Sequence, residues 1–174
     1  MNTSLGPPIL GKEEYAVAKG YVQSLYLILT NPARLQAPDD TSFYPAFGLL
    51  AGFAVELYLK AYLIHRGVST ADLRKGAVAH KLAILAAMCK TKGLSDVKLD
   101  WLVRKLGDHH ASYEFRYMKP SSEFYPIDLH RLFKAFSRLD RAVDVAIGAS
   151  ASKRLSADDD WIFPPDGAWR FPSQ

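Results

Sequence analysis

One cysteine, Cys89, occurs in 174 residues. A lone cysteine excludes an internal disulfide and a cysteine-based metal cluster, and it suits a reducing compartment. The opening residues, MNTSLGPPILGKEE, lack a basic stretch followed by an apolar core, so no secretory signal is expected. The most apolar stretch, Phe47 to Ile64, is interrupted by Glu56 and Lys60, which argues for a buried core helix rather than a membrane span. The expectation is a cytoplasmic protein with no membrane partner. Internal repeats, low-complexity tracts, a glycine-rich phosphate loop and runs of clean period-two alternation are also missing. Helical periodicity is what remains.

Hydrophobic residues make up 49% of the chain and charged residues 23%, a balance that favours a folded core over disorder. The fold class expected is all-α, an antiparallel bundle of about five helices. The first helix should run from Lys12 to Leu29, where Asn31-Pro32 stops it. The second should span Pro45 to Arg66, with Gly67 ending it. Thr70 to Lys75 suits one short turn, and a third helix should cover Ala79 to Lys92. A fourth should start after Ser95 or Asp96 as N-cap and reach Tyr117. The fifth should run from Pro126 to Ile147, before Gly148. Residues 1–154 thus read as the bundle. Residues 155–174 read as an aromatic and proline-rich tail pinned to the bundle or to a second subunit, through Trp161, Phe163, Trp169 and Phe171.

Charge is uneven. Residues 60–119 hold twelve Lys/Arg against five Asp/Glu, whereas the tail is acidic at Asp158, Asp159, Asp160 and Asp166. A basic middle favours an anionic partner. Within it, two charges occupy an apolar helix face. At about 100° per residue, Leu49, Phe53, Glu56, Lys60 and Leu63 share one side of the second helix. A carboxylate and an ammonium four residues apart support a helix, but burying them requires a partner. The fourth helix offers one. Leu102, Leu106, His109, Tyr113 and Arg116 share a face there, so Arg116 should meet Glu56, with Lys60, His109, Tyr113 and Tyr117 nearby. Such a cluster is either a core ion pair that sets helix register or a site where arginine and histidine act on phosphate.

Three strings carry a resemblance. Ala54, Glu56, Leu59, Lys60 and Ala61 in the second helix, Ala79, His80 and Leu82 at the start of the third, and Arg116-Tyr117 resemble the HEPN domain (higher eukaryote and prokaryote nucleotide-binding), of the stand-alone bacterial type. The resemblance covers about residues 12–147; Ala79 and Lys81 stand where the family has Gly and Asp. It implies a helical bundle, a homodimer, RNA or nucleotide as ligand, and a setting in defence, stress response or a toxin–antitoxin system, with an antitoxin or other protein as partner. Many members are metal-independent ribonucleases that use an Arg and a His with four to six residues between them. After Arg116 that window holds Ser121, Ser122 and Glu123, so the pair is not kept there. Arg104 with His109 or His110 matches by spacing, but on a continuous helix the pairs point about 140° and 120° apart. The catalytic candidates are therefore Arg116 and His109.

Arg131, Lys134, Arg138 and Arg141 form a basic stripe on the fifth helix, suited to tracking a nucleic-acid backbone or simply to facing solvent, with Asp128, Asp140 and Asp144 as screening charges. No Cys/His set has zinc spacing, so no metal and no cofactor is expected. Three functions are open: a non-catalytic binder of RNA or nucleotide, a metal-independent endoribonuclease, and a structural or protein-interaction module.

Overall fold

The computed structural model describes residues 9–31, 43–117, 122–124, 127–153 and 155. Among the described residues the regular elements are all helices, in the order α1 (Lys12–Thr30), α2 (Phe43–His65), α3 (Thr70–Leu73), α4 (Leu82–Thr91), α5 (Val97–Ala111) and α6 (Leu129–Ile147), followed by a 3-10 turn at Ala151–Lys153. The all-α class expected from periodicity is what forms. The tail beyond Leu155, with its four aromatic residues, lies outside the described residues.

α2 is the centre. It touches α1, α4, α5 and α6, while α1, α6, α5 and α4 contact one another in that sequence around it. A helix covered on every side needs apolar residues all round rather than on one stripe. Accordingly Phe47, Ala51, Ala54, Val55, Tyr58, Leu59, Tyr62 and Leu63 are all buried. Pro45–His65 is long and apolar enough to cross a membrane, but 67% of its apolar window is buried inside the bundle. α6 is the opposite case. Its apolar stripe, Leu132, Phe133, Phe136, Leu139, Val143 and Ile147, faces the core, and its other side is exposed.

The local signals act as expected at most helix ends. Asp96 caps α5 by accepting from the Lys98 amide, and Asp128 caps α6 by accepting from the Arg131 amide. α1 stops at Thr30, where Asn31 turns extended ahead of Pro32. Gly11 precedes α1 in the left-handed region at φ 84°, and a Cβ there would lie 2.2 Å from the Ala61 carbonyl oxygen. Only glycine therefore permits this approach of α1 to α2.

Two expectations fail. The helix expected to reach Tyr117 ends at Ala111, because Tyr113 adopts φ 60° and the chain turns. A left-handed tyrosine is disfavoured by roughly 1–2 kcal/mol; the turn it makes carries Phe115 into the core against Gly48, where a Cβ would lie 2.3 Å from the ring. His109, Tyr113 and Arg116 therefore do not share one helix face. Nor do Asp140 and Asp144 screen the basic stripe. Both are buried. Asp140 accepts from the Tyr58 hydroxyl at 2.8 Å and lies 3.5 Å from the Lys19 ammonium. Asp144 accepts from the Ser150 amide and hydroxyl beyond the end of α6.

Candidate functional site

The candidate site begins at Glu56, in the middle of α2 and 3% exposed. The Lys60 ammonium, one turn on, donates to its Oε1 at 2.5 Å. Both histidines that reach it use Oε2: His80 through Nδ1 at 3.0 Å and His110 through Nε2 at 2.7 Å. Three segments thus converge on one carboxylate, namely α2, the loop before α4, and α5. Burial alone would raise the Glu56 pKa; hydrogen bonds from His110, Lys60 and His80 outweigh it and hold the carboxyl at about 2.

This overturns the expected pairing of Glu56 with Arg116. The carboxylate oxygens are taken by Lys60, His80 and His110. Arg116 is exposed and lies over two rings instead, its guanidinium carbon 4.8 Å from the Phe53 centroid and 5.5 Å from that of Tyr113. Among the described residues no carboxylate pairs with it. The early turn at Tyr113 is the cause. It lifts Arg116 off the helix axis and onto a ledge formed by α2 and the turn.

Neither His80 nor His110 is among the residues expected at Glu56, yet they supply two of its three partners. His110 reaches it because Gly52 makes room: a Cβ there would sit 2.4 Å from His110 Nδ1. Gly48 and Gly52, four residues apart on α2, receive the rings of Phe115 and His110. The AHKL string held the signal for His80. For His110 the only signal was its place beside the apolar stripe of α5.

Three adjoining cavities surround the cluster. A tight one, with no room for water, is walled by His80, His109, His110, Tyr113, Phe115 and Arg116. An open cavity of about 420 Å³ lies to one side, lined by Arg74, His80, Lys81 and Tyr113 among others. Another of about 230 Å³ lies to the other side, where Arg104, Lys105 and His109 meet Phe115 and Phe124. His80 is the member of the cluster that reaches solvent, with 32% of its side chain exposed.

The remaining candidates fall as follows. His109 shares the tight cavity with Arg116, but its Nδ1 is engaged by Glu114 at 2.6 Å. Arg104 lines a cavity with His109 although α5 runs unbroken through Gly107. Tyr113 walls two cavities, whereas Tyr117 is 71% exposed and lines none of the three. Arg131, Lys134, Arg138 and Arg141 are exposed on α6. Arg131 lies over the Trp101 ring and Arg138 pairs with Asp96 at 2.7 Å, so two of the four are anchored to α5. None of the four lines the three cavities.

Chemically, the arrangement is a carboxylate that fixes the orientation of two imidazoles, next to an arginine held on aromatic faces. The carboxylate can keep a ring in one tautomer and stabilise its charged form. Glu56 Oε2, His80 Nδ1 and His110 Nε2 also lie close enough for one small cation, a convergence of three chain segments that spacing along the sequence does not reveal. In comparisons with known proteins, no family model matches the chain, and no curated protein or solved structure matches it significantly.

Proposed function

We propose that this chain is a HEPN-type bundle that binds RNA or nucleotide through phosphate contacts at Arg116, in a defence, stress-response or toxin–antitoxin role. The observation that carries this reading is the Arg116 ledge. An exposed guanidinium with no carboxylate partner among the described residues sits beside the carboxylate-held His80, and the open cavity shared with His80 adds Arg74 and Lys81. Guanidinium groups match phosphate oxygens in pairs, and the adjoining cavities offer Tyr113 and Phe124 as surfaces for a base. The resemblance in helix pattern, in AHKL and in Arg116-Tyr117 supplies the class of ligand. The dimer and any antitoxin rest on that resemblance alone.

A ribonuclease reading is favoured by one further observation. Glu56 engages His80 Nδ1, which leaves Nε2 to exchange a proton, and the ring shares a cavity wall with Arg116. Binding of a fluorescent single-stranded RNA in EDTA tests both readings. Affinity should fall steeply with salt, and Arg116→Ala should weaken it at least tenfold. Absence of binding at low salt overturns the reading. Binding without cleavage over hours removes the ribonuclease alone.

A further inference from the structure

We infer that Glu56, His80 and His110 form a binding site for one borderline divalent transition-metal ion, zinc being the natural probe. The three donors come from three segments and lie within 4.8 Å of one another. In the metal-free arrangement His80 Nδ1 and His110 Nε2 stand 3.0 and 2.7 Å from Glu56 Oε2. Zinc bonds of about 2.0–2.1 Å at tetrahedral angles need donors roughly 3.3 Å apart. Relative to Oε2, both nitrogens have to withdraw by only a few tenths of an ångström.

The surroundings fit a one-oxygen carboxylate ligand. A metal-bound carboxylate characteristically has its distal oxygen held by a hydrogen-bond donor. Here Lys60 holds Oε1 at 2.5 Å and leaves Oε2 to the cation. Binding needs a lone pair on each ring nitrogen that faces Oε2, with the proton carried on the other nitrogen. For His80 that other nitrogen belongs to the part-exposed ring on the open cavity. For His110 it is Nδ1, which adjoins the space that a side chain on Gly52 would fill. Three protein ligands leave a fourth position for water or a ligand oxygen, the pattern of open rather than structural zinc sites.

Ligand chemistry sets the selectivity. Two imidazoles and one carboxylate suit zinc, cobalt, nickel or copper and not magnesium or calcium, which seek oxygen. Lys60 already offsets the carboxylate charge, so binding in the micromolar range is expected rather than that of a structural site. The inference does not depend on RNA binding. If His80 also moves protons, the metal and that activity exclude each other, since the ion engages the carboxylate and ring nitrogen that orient the imidazole.

Titration of the chelator-stripped full chain with Zn²⁺, followed by calorimetry and thermal melting, tests this. Saturation at one equivalent should raise Tm by roughly 5–11 °C at a hundredfold excess over Kd. Co²⁺ should give visible bands of a four- or five-coordinate site, and Mg²⁺ should shift nothing. His80→Ala, at the exposed edge of the cluster, should fold and lose at least tenfold in affinity; His80→Asn serves if the alanine variant is unstable. His65→Ala should change nothing. Absence of saturable binding, or binding that survives loss of His80, overturns the site.

Discussion

Replacing Glu56 with glutamine removes one charge and almost no volume, so the loss reports the carboxylate itself. Two routes give its size. Its pKa lies at about 2 against the ordinary 4.5, and a difference of that size is worth about 3 kcal/mol by linkage. Removing one member of a buried ionic cluster independently costs about 3–5 kcal/mol. The amide cannot serve all three donors: its NH₂ must face either the Lys60 ammonium or both imidazoles. In a chain of this length about 3 kcal/mol lowers Tm by roughly 6–12 °C. The sign of the pH dependence follows from the direction of the shift. A carboxyl whose folded pKa is depressed contributes stability that is full above its unfolded pKa of about 4.5 and is lost as pH falls through about 2. The gap in Tm between wild type and Glu56→Gln should therefore be widest near pH 7 and close between pH 4.5 and 2. Circular-dichroism melts in EDTA across that range provide the measurement. A gap below about 3 °C at pH 7, or one that stays constant down to pH 2.5, refutes the account of the cluster.

Gly52→Ala should act on the same cluster from the other side. Its Cβ would fall 2.4 Å from His110 Nδ1, so the ring must move and its bond to Glu56 must lengthen; about 1–3 kcal/mol of overpacking loss is expected, seen as a lower urea midpoint and a changed imidazole NMR signal. Asp140→Asn should behave unlike Glu56→Gln. Burial raises the Asp140 pKa against the opposing pull of Tyr58 and Lys19, so in the folded state its charge is a liability above that raised value. Asparagine keeps an oxygen for the Tyr58 hydroxyl, and stability at pH 7 should stay within about 1 kcal/mol of wild type. The contribution of Asp140 grows as pH falls toward its unfolded value, so wild type should gain on the variant in mild acid, a trend opposite to that at Glu56.

Helix positions were legible because each ended on local chemistry: Asn31 before proline, Asp96 as a cap, glycine after α2, α4 and α6. The central role of α2 was legible too, since a helix that is apolar all round has to be covered all round. The end of α5 was not. Its helical pattern continues to Tyr117, and only the fit of Phe115 against Gly48 makes the left-handed Tyr113 worthwhile, a fact of tertiary packing. That single turn decided the site. It moved Arg116 away from Glu56 and left the carboxylate to histidines that spacing along the chain does not connect. Asp140 and Asp144 were misplaced for a related reason: on α6 they border the apolar stripe, and a carboxylate there reads as solvated until Tyr58 and Ser150 are seen to reach it.

Glu56 and Tyr58 are two residues apart and so point about 200° apart around α2. The central helix therefore carries a buried polar cluster on each of two sides, one toward α4 and α5 and one toward α1 and α6. Apolar packing alone specifies the rotation of such a helix weakly, because all its faces are similar. Turning α2 by one residue would take Glu56 from its three donors and Tyr58 from Asp140 together, leaving buried charges unpaired on both sides, each a loss of several kcal/mol. The two clusters thus fix the rotation of α2, and with it the side on which Phe53 supports Arg116. They differ in what else they can do. Burial pushes the Asp140 carboxyl toward the neutral form, whereas the Glu56 carboxylate is held ionised and is hydrogen-bonded to His80, whose ring lines a cavity with Arg74 and Lys81. A carboxylate kept ionised against a solvent-reaching imidazole is more than register requires, and this supports the proposed site beside Arg116.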